Sequence, residues 1–287
     1  MGMSEKAKKT WPASDVFSSR VENVSPDRAK EYLDHLGHNR TLDPNRVRLY
    51  SADILADRWL LSHQGIAFTR DGVLIDGQHR LRAIIEANRS IMLVVTVGLP
   101  PEAINAIDIG KIRTITDLER MAGRSTQAAH VAIARAMMFG LRHVPKPTVA
   151  AQREFIGRYW EGIEFAVASC SRRSGITTAP VLAPIARAYF SQDQEKLKRF
   201  AQVVSSGMGD EVLDNAALLL RAWLVDVRAG NRAAASGAAA VGTGTLGRYT
   251  ILYAKTERAL KGHLTGELLG RLYASSEELF PLPGEEE

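Results

Sequence analysis

The residues with the clearest chemical potential form one short run, residues 76–80, with the sequence Asp-Gly-Gln-His-Arg. A β-like stretch precedes the run and a helical pattern follows it. Asp76 is predicted to cap the helix, because its carboxylate can accept from the free N–H groups of the first turn. Gly77 has no Cβ, so a ligand could approach the backbone where the helix dipole is positive. His79 and Arg80 would add positive charge there, and the whole arrangement suits a phosphate group.

The same run allows a purely structural interpretation, and residue chemistry leaves both open. Asp76 and Gly77 would then only cap a helix, while His79 and Arg80 would be solvated. His79 could also serve as a general base, since an unperturbed histidine titrates near neutrality. The neighbouring cation of Arg80 disfavours protonation of His79 until an anion arrives, which points more towards a phosphate donor.

The order of residues in this run resembles a signature of the ParB/sulfiredoxin superfamily, whose members bind nucleoside triphosphates. Residues 77–83, Gly-Gln-His-Arg-Leu-Arg-Ala, are similar to the second ParB box, Gly-Glu-Arg-Arg-x-Arg-Ala. They are also similar to the Gly-Cys-His-Arg of sulfiredoxin and to the Asp-Gly-Gln-His-Arg of phage and DNA-modification proteins. The resemblance implies ATP or CTP as the ligand, together with Mg²⁺. It also implies a set of nucleotide-binding residues: Gly77, Gln78, His79 and Arg80.

Two further regions correspond to ParB boxes by position. The polar loop after Ile107 falls where the third box, Glu-Asn-x-Gln-Arg, would lie. By that position Asp108 would help to hold Mg²⁺ and take part in catalysis, and Lys111 or Arg113 would meet phosphate. A local cap or salt bridge is the alternative role of Asp108. Arg40, in an Asn-Arg pair that resembles the first box in outline, is a further nucleotide-binding candidate.

Gln78 marks where the run departs from both families. Sulfiredoxin needs a cysteine at this position, so sulfinate reduction is excluded. ParB has an acidic residue there, and an amide cannot act as a base or hold magnesium strongly. If triphosphate is hydrolysed, Asp76 or Asp108 must therefore organise the metal or the water as a catalytic residue.

Two functions from different classes remain open. The first is a nucleotide-using enzyme, an NTPase or a small-molecule kinase, that acts in a DNA-related process of a phage or mobile element. The second is a non-catalytic module in which bound ATP or CTP rearranges the protein on DNA or on a protein partner. Turnover of the nucleotide separates them, because only the first predicts phosphate release or transfer.

Composition agrees with a soluble globular protein of one large or two ordinary domains: 287 residues, 45% hydrophobic and 24% charged. A net charge of +5 is compatible with a nucleotide or DNA partner without requiring one. One cysteine, Cys170, allows no internal disulfide and no cysteine-built metal site. No apolar run approaches the roughly 18 residues of a membrane span, and no signal-peptide core follows the first lysines. We therefore expect a cytoplasmic protein without a membrane partner.

The patterns predict an α+β chain in which a small mixed α/β domain precedes an all-helical domain, and the resemblance implies that the first domain is ParB/sulfiredoxin-like. Residues 1–20 are predicted to be a mobile tail and residues 21–123 to form the nucleotide-binding domain. Within that domain, residues 66–75 read as a β-hairpin and residues 91–97 as an interior strand.

Residues 124–287 show one helical pattern after another, interrupted near 229–247 by a glycine- and alanine-rich stretch that predicts a flexible loop. No convincing helix-turn-helix pattern follows Gly123, so ParB-type reading of a DNA sequence is in doubt. One late helix could present a basic face to phosphates, although a solvated face is the commoner outcome. Its basic residues are Arg248, Lys255, Arg258 and Lys261.

Overall fold

The computed structural model describes residues 16–37, 39–107, 113–142, 147–173, 175–229 and 245–284. The chain divides into two compact units, Met1–Ile112 and Arg113–Glu287, called here the N-terminal unit and the helical unit. The chain therefore mixes helices and strands, and all the described strands lie in the N-terminal unit.

The N-terminal unit contains a four-stranded mixed sheet and helices that pack with it. Its strands are β1 (Ser18–Val24), β2 (Ile66–Thr69), β3 (Leu74–Asp76) and β4 (Ile91–Leu99). Its α-helices are α1 (Pro26–Leu33), α2 (Pro44–Leu55) and α3 (Gln78–Ala87). The sheet order is β1-β4-β2-β3, with β4 antiparallel to β1 and parallel to β2. A parallel neighbour requires a crossover, and α3 lies in the connection that supplies it.

Local sequence chemistry accounts for the ends of two of these helices. The Ser25 side chain accepts from the Arg28 N–H, and Pro26 occupies the first turn of α1. Asp43 caps α2 in the same way, by accepting from the Asn45 N–H. The core between sheet and helices is apolar, and several of its side chains are fully buried: Tyr32, Phe68, Leu74, Leu81 and Ile84.

The predicted strands of this unit are confirmed, but one strand was not foreseen. The two strands of the 66–75 hairpin pair antiparallel, and β4 lies inside the sheet between β1 and β2. Residues 18–20, predicted to belong to a mobile tail, form the start of β1, with Ser18 opposite Val97. Most of β1 is exposed and polar, so no apolar alternation marks it as a strand. Residues 1–15 lie outside the described part.

The described helices of the second unit surround their own apolar core, which includes Ile133, Met137, Ile156, Phe200 and Leu220. They are α4 (Ile115–Met121), α5 (Ala128–Phe139), α6 (Val149–Arg158), α7 (Trp160–Ala168), α8 (Ala179–Ala188), α9 (Gln194–Ser206), α10 (Asn215–Arg228) and α11 (Thr245–Thr265). Helix α4 packs with α5 and α6, so the boundary predicted at Gly123 falls inside this unit. Gly123 follows the C-cap of α4 with a φ of 83°, which explains why the sequence there resembles a boundary. Most of the predicted loop, residues 230–244, lies outside the described residues.

In α11, the late basic helix, some of the basic side chains contact other residues of the helical unit. Arg258 is 8% exposed, bonds Glu267 and lies over the ring of Tyr273. The ammonium of Lys255 lies 4.4 Å from the centre of the Trp223 ring. These contacts make a continuous phosphate-binding face less favourable. None of the described helices is long and apolar enough to cross a membrane.

Candidate functional site

Gly77 forms the junction between β3 and α3. Strand β3 ends at Asp76, and Gly77 is the N-cap residue of α3 with a φ of 100°, in the left-handed region that favours glycine. A Cβ built there would lie 2.4 Å from Ile66 Cγ2 and 3.1 Å from Ile66 Cα. The glycine is buried, so it serves the turn and the close approach to β2 rather than an open ligand site.

The predicted helix cap is wrong. No side chain caps α3, and the Asp76 carboxylate instead pairs with Arg80 one turn along the helix. The reason lies in the backbone: a left-handed glycine at the N-cap position displaces the aspartate from the geometry in which it could accept from the first turn. Asp76 therefore keeps its carboxylate for a side-chain partner.

Gln78 and His79 attach the start of α3 to the chain that precedes α2. Gln78 Nε2 donates to the Arg40 carbonyl at 2.8 Å, and His79 Nε2 accepts from the Asp43 N–H at 3.0 Å. Gln78 and His79 are only 6% and 5% exposed. Gln78 and His79, which the sequence assigned to phosphate, thus bond to backbone groups inside the protein. Buried polar side chains need such partners.

The His79 ring must be neutral to make this hydrogen bond, because Nε2 can accept from the Asp43 N–H only while it carries no proton. Burial lowers the pKa of His79, and the charges of Arg40, Arg46 and Arg80 lower it further, while Asp43 opposes the shift. The arginines that would attract an anion therefore also keep this imidazole uncharged.

The depressed pKa predicts acid sensitivity of the junction. The unfolded chain takes up a proton on His79 near pH 6.5, whereas the folded chain does so only at lower pH. Stability from this group is therefore present above pH 6.5 and lost as the pH falls through the folded pKa. An NMR titration should give His79 a midpoint below that of the urea-unfolded chain, and His79→Gln should remove the part of the acid destabilisation that comes from this group. A folded midpoint at or above 6.5 would contradict this assignment.

Arg80 and Asp76 form a loosely paired, partly accessible couple. Arg80 Nη1 donates to the Gly65 carbonyl at 3.0 Å and reaches Asp76 Oδ2 at 3.5 Å. The second distance is long for a charge-assisted bond, which is about 2.7–2.9 Å. The two side chains are 13% and 21% exposed. Within the described residues, both hydrogen bonds of Arg80 use Nη1, so Nε and Nη2 keep their donors for another acceptor.

The two side chains of this pair line adjoining clefts, called together the Gln64 groove because Gln64 borders both. The Asp76 cleft has a volume of about 200 Å³, and its lining includes His63, Gln64, Gly65, Asp76, Thr96 and Ile107. The Arg80 cleft has a volume of about 210 Å³, and its lining includes Tyr50, Asp53, Arg58, Trp59, Gln64 and Arg80. Neither Gln78 nor His79 lines either cleft.

Of the remaining predicted site residues, Arg40 is not among the described residues that line either cleft. The backbone of Arg40 holds the connector, accepting from Gln78 and donating to Asn39 Oδ1 at 2.8 Å, while its side chain is exposed. Arg113 is exposed and is the first residue of the helical unit. Asp108 and Lys111 lie outside the described residues.

The sequence analysis did not predict most residues that line the groove, including Tyr50, Trp59 and Gln64. Tyr50 and Trp59 fit an apolar helix face and a core position, and Gln64 fits a turn. The neighbouring glycine, Gly65, was the local sequence signal for this region. The structure explains it, because a Cβ at Gly65 would lie 1.7 Å from the Val94 carbonyl oxygen. A glycine pressed against a strand in this way fixes the backbone beside it, including the carbonyl that receives Arg80.

The groove meets the chemical needs of a magnesium–triphosphate complex in part. Arg80 offers two unused donors to phosphate oxygens, and Asp76 offers one carboxylate. Mg²⁺ is commonly held by one or two carboxylates together with the phosphates of its substrate. The described residues contain no group of three or more His, Cys, Asp or Glu that could hold a metal ion by itself. A metal that binds through Asp76 would therefore be expected to share the phosphates.

Comparison of the chain with protein-family models, with curated proteins and with solved structures finds no match.

Proposed function

We propose that the N-terminal unit is a ParB/sulfiredoxin-like domain that binds a nucleoside triphosphate, ATP or CTP, with Mg²⁺ in the Gln64 groove. The observation that supports this most is the placement of Arg80 and Asp76, a partly accessible cation and carboxylate. They line adjoining clefts, and Arg80 Nη1 lies 3.5 Å from Asp76 Oδ2. In this proposal Arg80 binds phosphate oxygens and Asp76 turns to the metal. Gly77, Gln78 and His79 shape the junction and do not contact the nucleotide.

The arrangement of Arg80 explains how binding would be favourable. Its Nη1 atom is fixed by the Gly65 carbonyl, which orients the guanidinium before any ligand arrives. The planar fork can then present Nε and Nη2 to two phosphate oxygens, the bidentate geometry in which arginine binds phosphate best. Exchange of the 3.5 Å contact with Asp76 for such a pair gives up little, because that contact is long.

Arg80→Ala is expected to weaken triphosphate binding by about 30-fold, the loss of roughly 2 kcal/mol of charge-assisted hydrogen bonding. Arg82→Ala is the matched control, because Arg82 lies two residues along the same helix and is exposed to solvent. Its effect should stay below about threefold, the part that comes from long-range charge alone. Calorimetry with ATP, CTP, GTP and UTP in the presence of Mg²⁺ measures both variants and identifies the base. Circular dichroism and urea unfolding check that each variant remains folded, and equal losses from both would count against the groove.

Two activities follow from such binding, and phosphate release separates them. An NTPase or kinase liberates or transfers phosphate at a rate that depends on Asp76, since Asp53, the other carboxylate among the described lining residues, is bonded by Arg58 at 3.3 Å. A nucleotide-gated module binds the same ligand without turnover and changes its affinity for DNA or a protein. Either activity would fit a DNA-related process of a phage or mobile element.

A further inference from the structure

The Arg80 cleft carries aromatic chemistry that a phosphate site does not need. Tyr50 and Trp59 both line it, with ring centres 5.7 Å apart and ring planes at 84°. Its volume of about 210 Å³ lies below the roughly 300–1,000 Å³ of pockets that enclose a whole drug-sized ligand. A cleft of this size and character suits one planar ring system, which would stack on an aromatic face.

Trp59 also has an unmet hydrogen-bonding need. Its Nε1 atom is buried and has no hydrogen-bond partner among the described residues. A buried donor without a partner is costly, and indole N–H groups usually find one. Because Nε1 has almost no exposed surface, an acceptor on a bound heterocycle would satisfy it once the indole turns towards the cleft.

Polar groups at the rim could hold the edge of such a ring. Gln64 borders the cleft, and its backbone N–H donates to Ser62 Oγ at 3.3 Å, which fixes the turn that carries it. The Gln64 amide is exposed and offers both a donor and an acceptor. Arg80 lines the same cleft and pairs with Asp76 of the adjoining one, so positive charge lies on the side where the two clefts meet.

We propose that the Arg80 cleft binds the nucleobase, with Tyr50 and Trp59 as the stacking residues and Gln64 at the edge of the base. This inference rests on the proposed function, since it takes the ligand to be a nucleotide. The phosphates then extend past Arg80 into the Asp76 cleft, and the ligand lies along the whole Gln64 groove.

The test compares each nucleoside triphosphate with tripolyphosphate, which has the same charged chain but no base. Calorimetry in the presence of Mg²⁺ should show that the wild-type protein binds the nucleotide at least tenfold more tightly. Tyr50→Leu should weaken nucleotide binding about tenfold, as expected for loss of one stacking face, and leave tripolyphosphate binding unchanged. Tyr50→Phe, which keeps the ring, is the matched control and should retain most of the affinity. Gln64→Ala changes an exposed residue, so it tests the base edge without a risk to folding.

The outcomes separate this inference from the proposal beneath it. If the wild-type protein binds both ligands with equal affinity and Tyr50→Leu changes neither, the base does not occupy this cleft and the phosphate site stands. If Tyr50→Leu and Gln64→Ala weaken both ligands alike, the base assignment is overturned in the same way. If the wild-type protein binds neither ligand, the proposed function itself fails. Selective loss of nucleotide binding, with tripolyphosphate unaffected, supports the assignment.

Discussion

Gly77→Ala is expected to lower the free energy of unfolding of the N-terminal unit by about 3–5 kcal/mol. Two costs combine. A φ of 100° is strained for any residue with a Cβ, and the new methyl group would meet Ile66 at 2.4 Å from Cγ2 and 3.1 Å from Cα. The side-chain atom could move, but the Cα belongs to β2, so relief requires a shift of the strand against α3.

Gly123→Ala is the matched control for the backbone part of this cost. Gly123 also has a positive φ, 83°, but a Cβ there would meet no atom within 4 Å. Its substitution should therefore cost only about 1–2 kcal/mol, the left-handed strain alone. Urea unfolding, followed by hydrogen exchange of amides in β4 and α5, assigns each loss to its unit. Equal losses from the two substitutions would contradict the tight approach of Gly77 to β2.

The Gly77 experiment also separates two explanations of the same glycine. The sequence correctly predicted a strand, a glycine and then a helix, because strand alternation and helical spacing are local patterns. It could not show what the glycine makes room for, since Ile66 approaches through the sheet. A variant with normal stability and no triphosphate binding would restore the ligand explanation. A destabilised variant that still binds triphosphate supports the packing explanation.

His79 shows the same limit for polar residues. A histidine next to an arginine at the start of a helix looks the same in sequence whether the histidine binds a phosphate or a backbone amide. Its actual partner, Asp43, lies far back in the chain and belongs to another helix cap. Arg80, by contrast, does line a cleft, although its contacts with Gly65 and Asp76 were not foreseen.

β1 shows the limit for strands. Most of its exposed side chains are polar, and only its pairing with β4 identifies it. The helices of the second unit were easier to predict where a local cap marks the start, as the side chain of Thr148 does for α6 and that of Asp193 does for α9. Features set by neighbouring residues in the sequence were therefore predicted better than contacts made by residues that are distant in the sequence.

Glu257, in α11, is a buried acid whose ionisation should control the stability of the helical unit. It is fully buried: Oε1 accepts from the Leu279 N–H at 3.3 Å, while Oε2 has no partner among the described residues. Burial and, next, the negative charge of Glu278 raise the pKa of Glu257 to about 8, against the opposing charge of Arg187. The folded protein therefore keeps this carboxyl protonated under conditions in which the unfolded chain, with a pKa near 4.5, has lost the proton.

The direction of the effect follows from proton binding. Between pH 4.5 and about 8 the folded state holds one more proton than the unfolded state at this group. Its stabilising contribution is thus fully present below pH 4.5 and is lost as the pH rises through the folded pKa. From pH 5 to pH 9 the helical unit should lose roughly 4 kcal/mol of unfolding free energy through Glu257. Glu257→Gln, which stays neutral, should remove most of this loss and be more stable than the wild type at pH 9.

Glu161→Gln is the control, because Glu161 is an exposed carboxylate of the same unit and its substitution leaves Glu257 and Glu278 unchanged. Urea unfolding at pH 5, 7 and 9 for the three proteins, with exchange of α8 and α11 amides as a local probe, gives the slopes directly. Parallel slopes for wild type and Glu257→Gln would show that the acid ionises in the folded protein as it does in the unfolded chain. If the unfolding free energy becomes less dependent on pH only in Glu257→Gln, the alkaline instability comes from the proton on Glu257. Because Glu278 Oε2 accepts from the Tyr253 hydroxyl and its Oε1 from the Leu141 N–H, ionisation of Glu257 should first loosen the segment after α11.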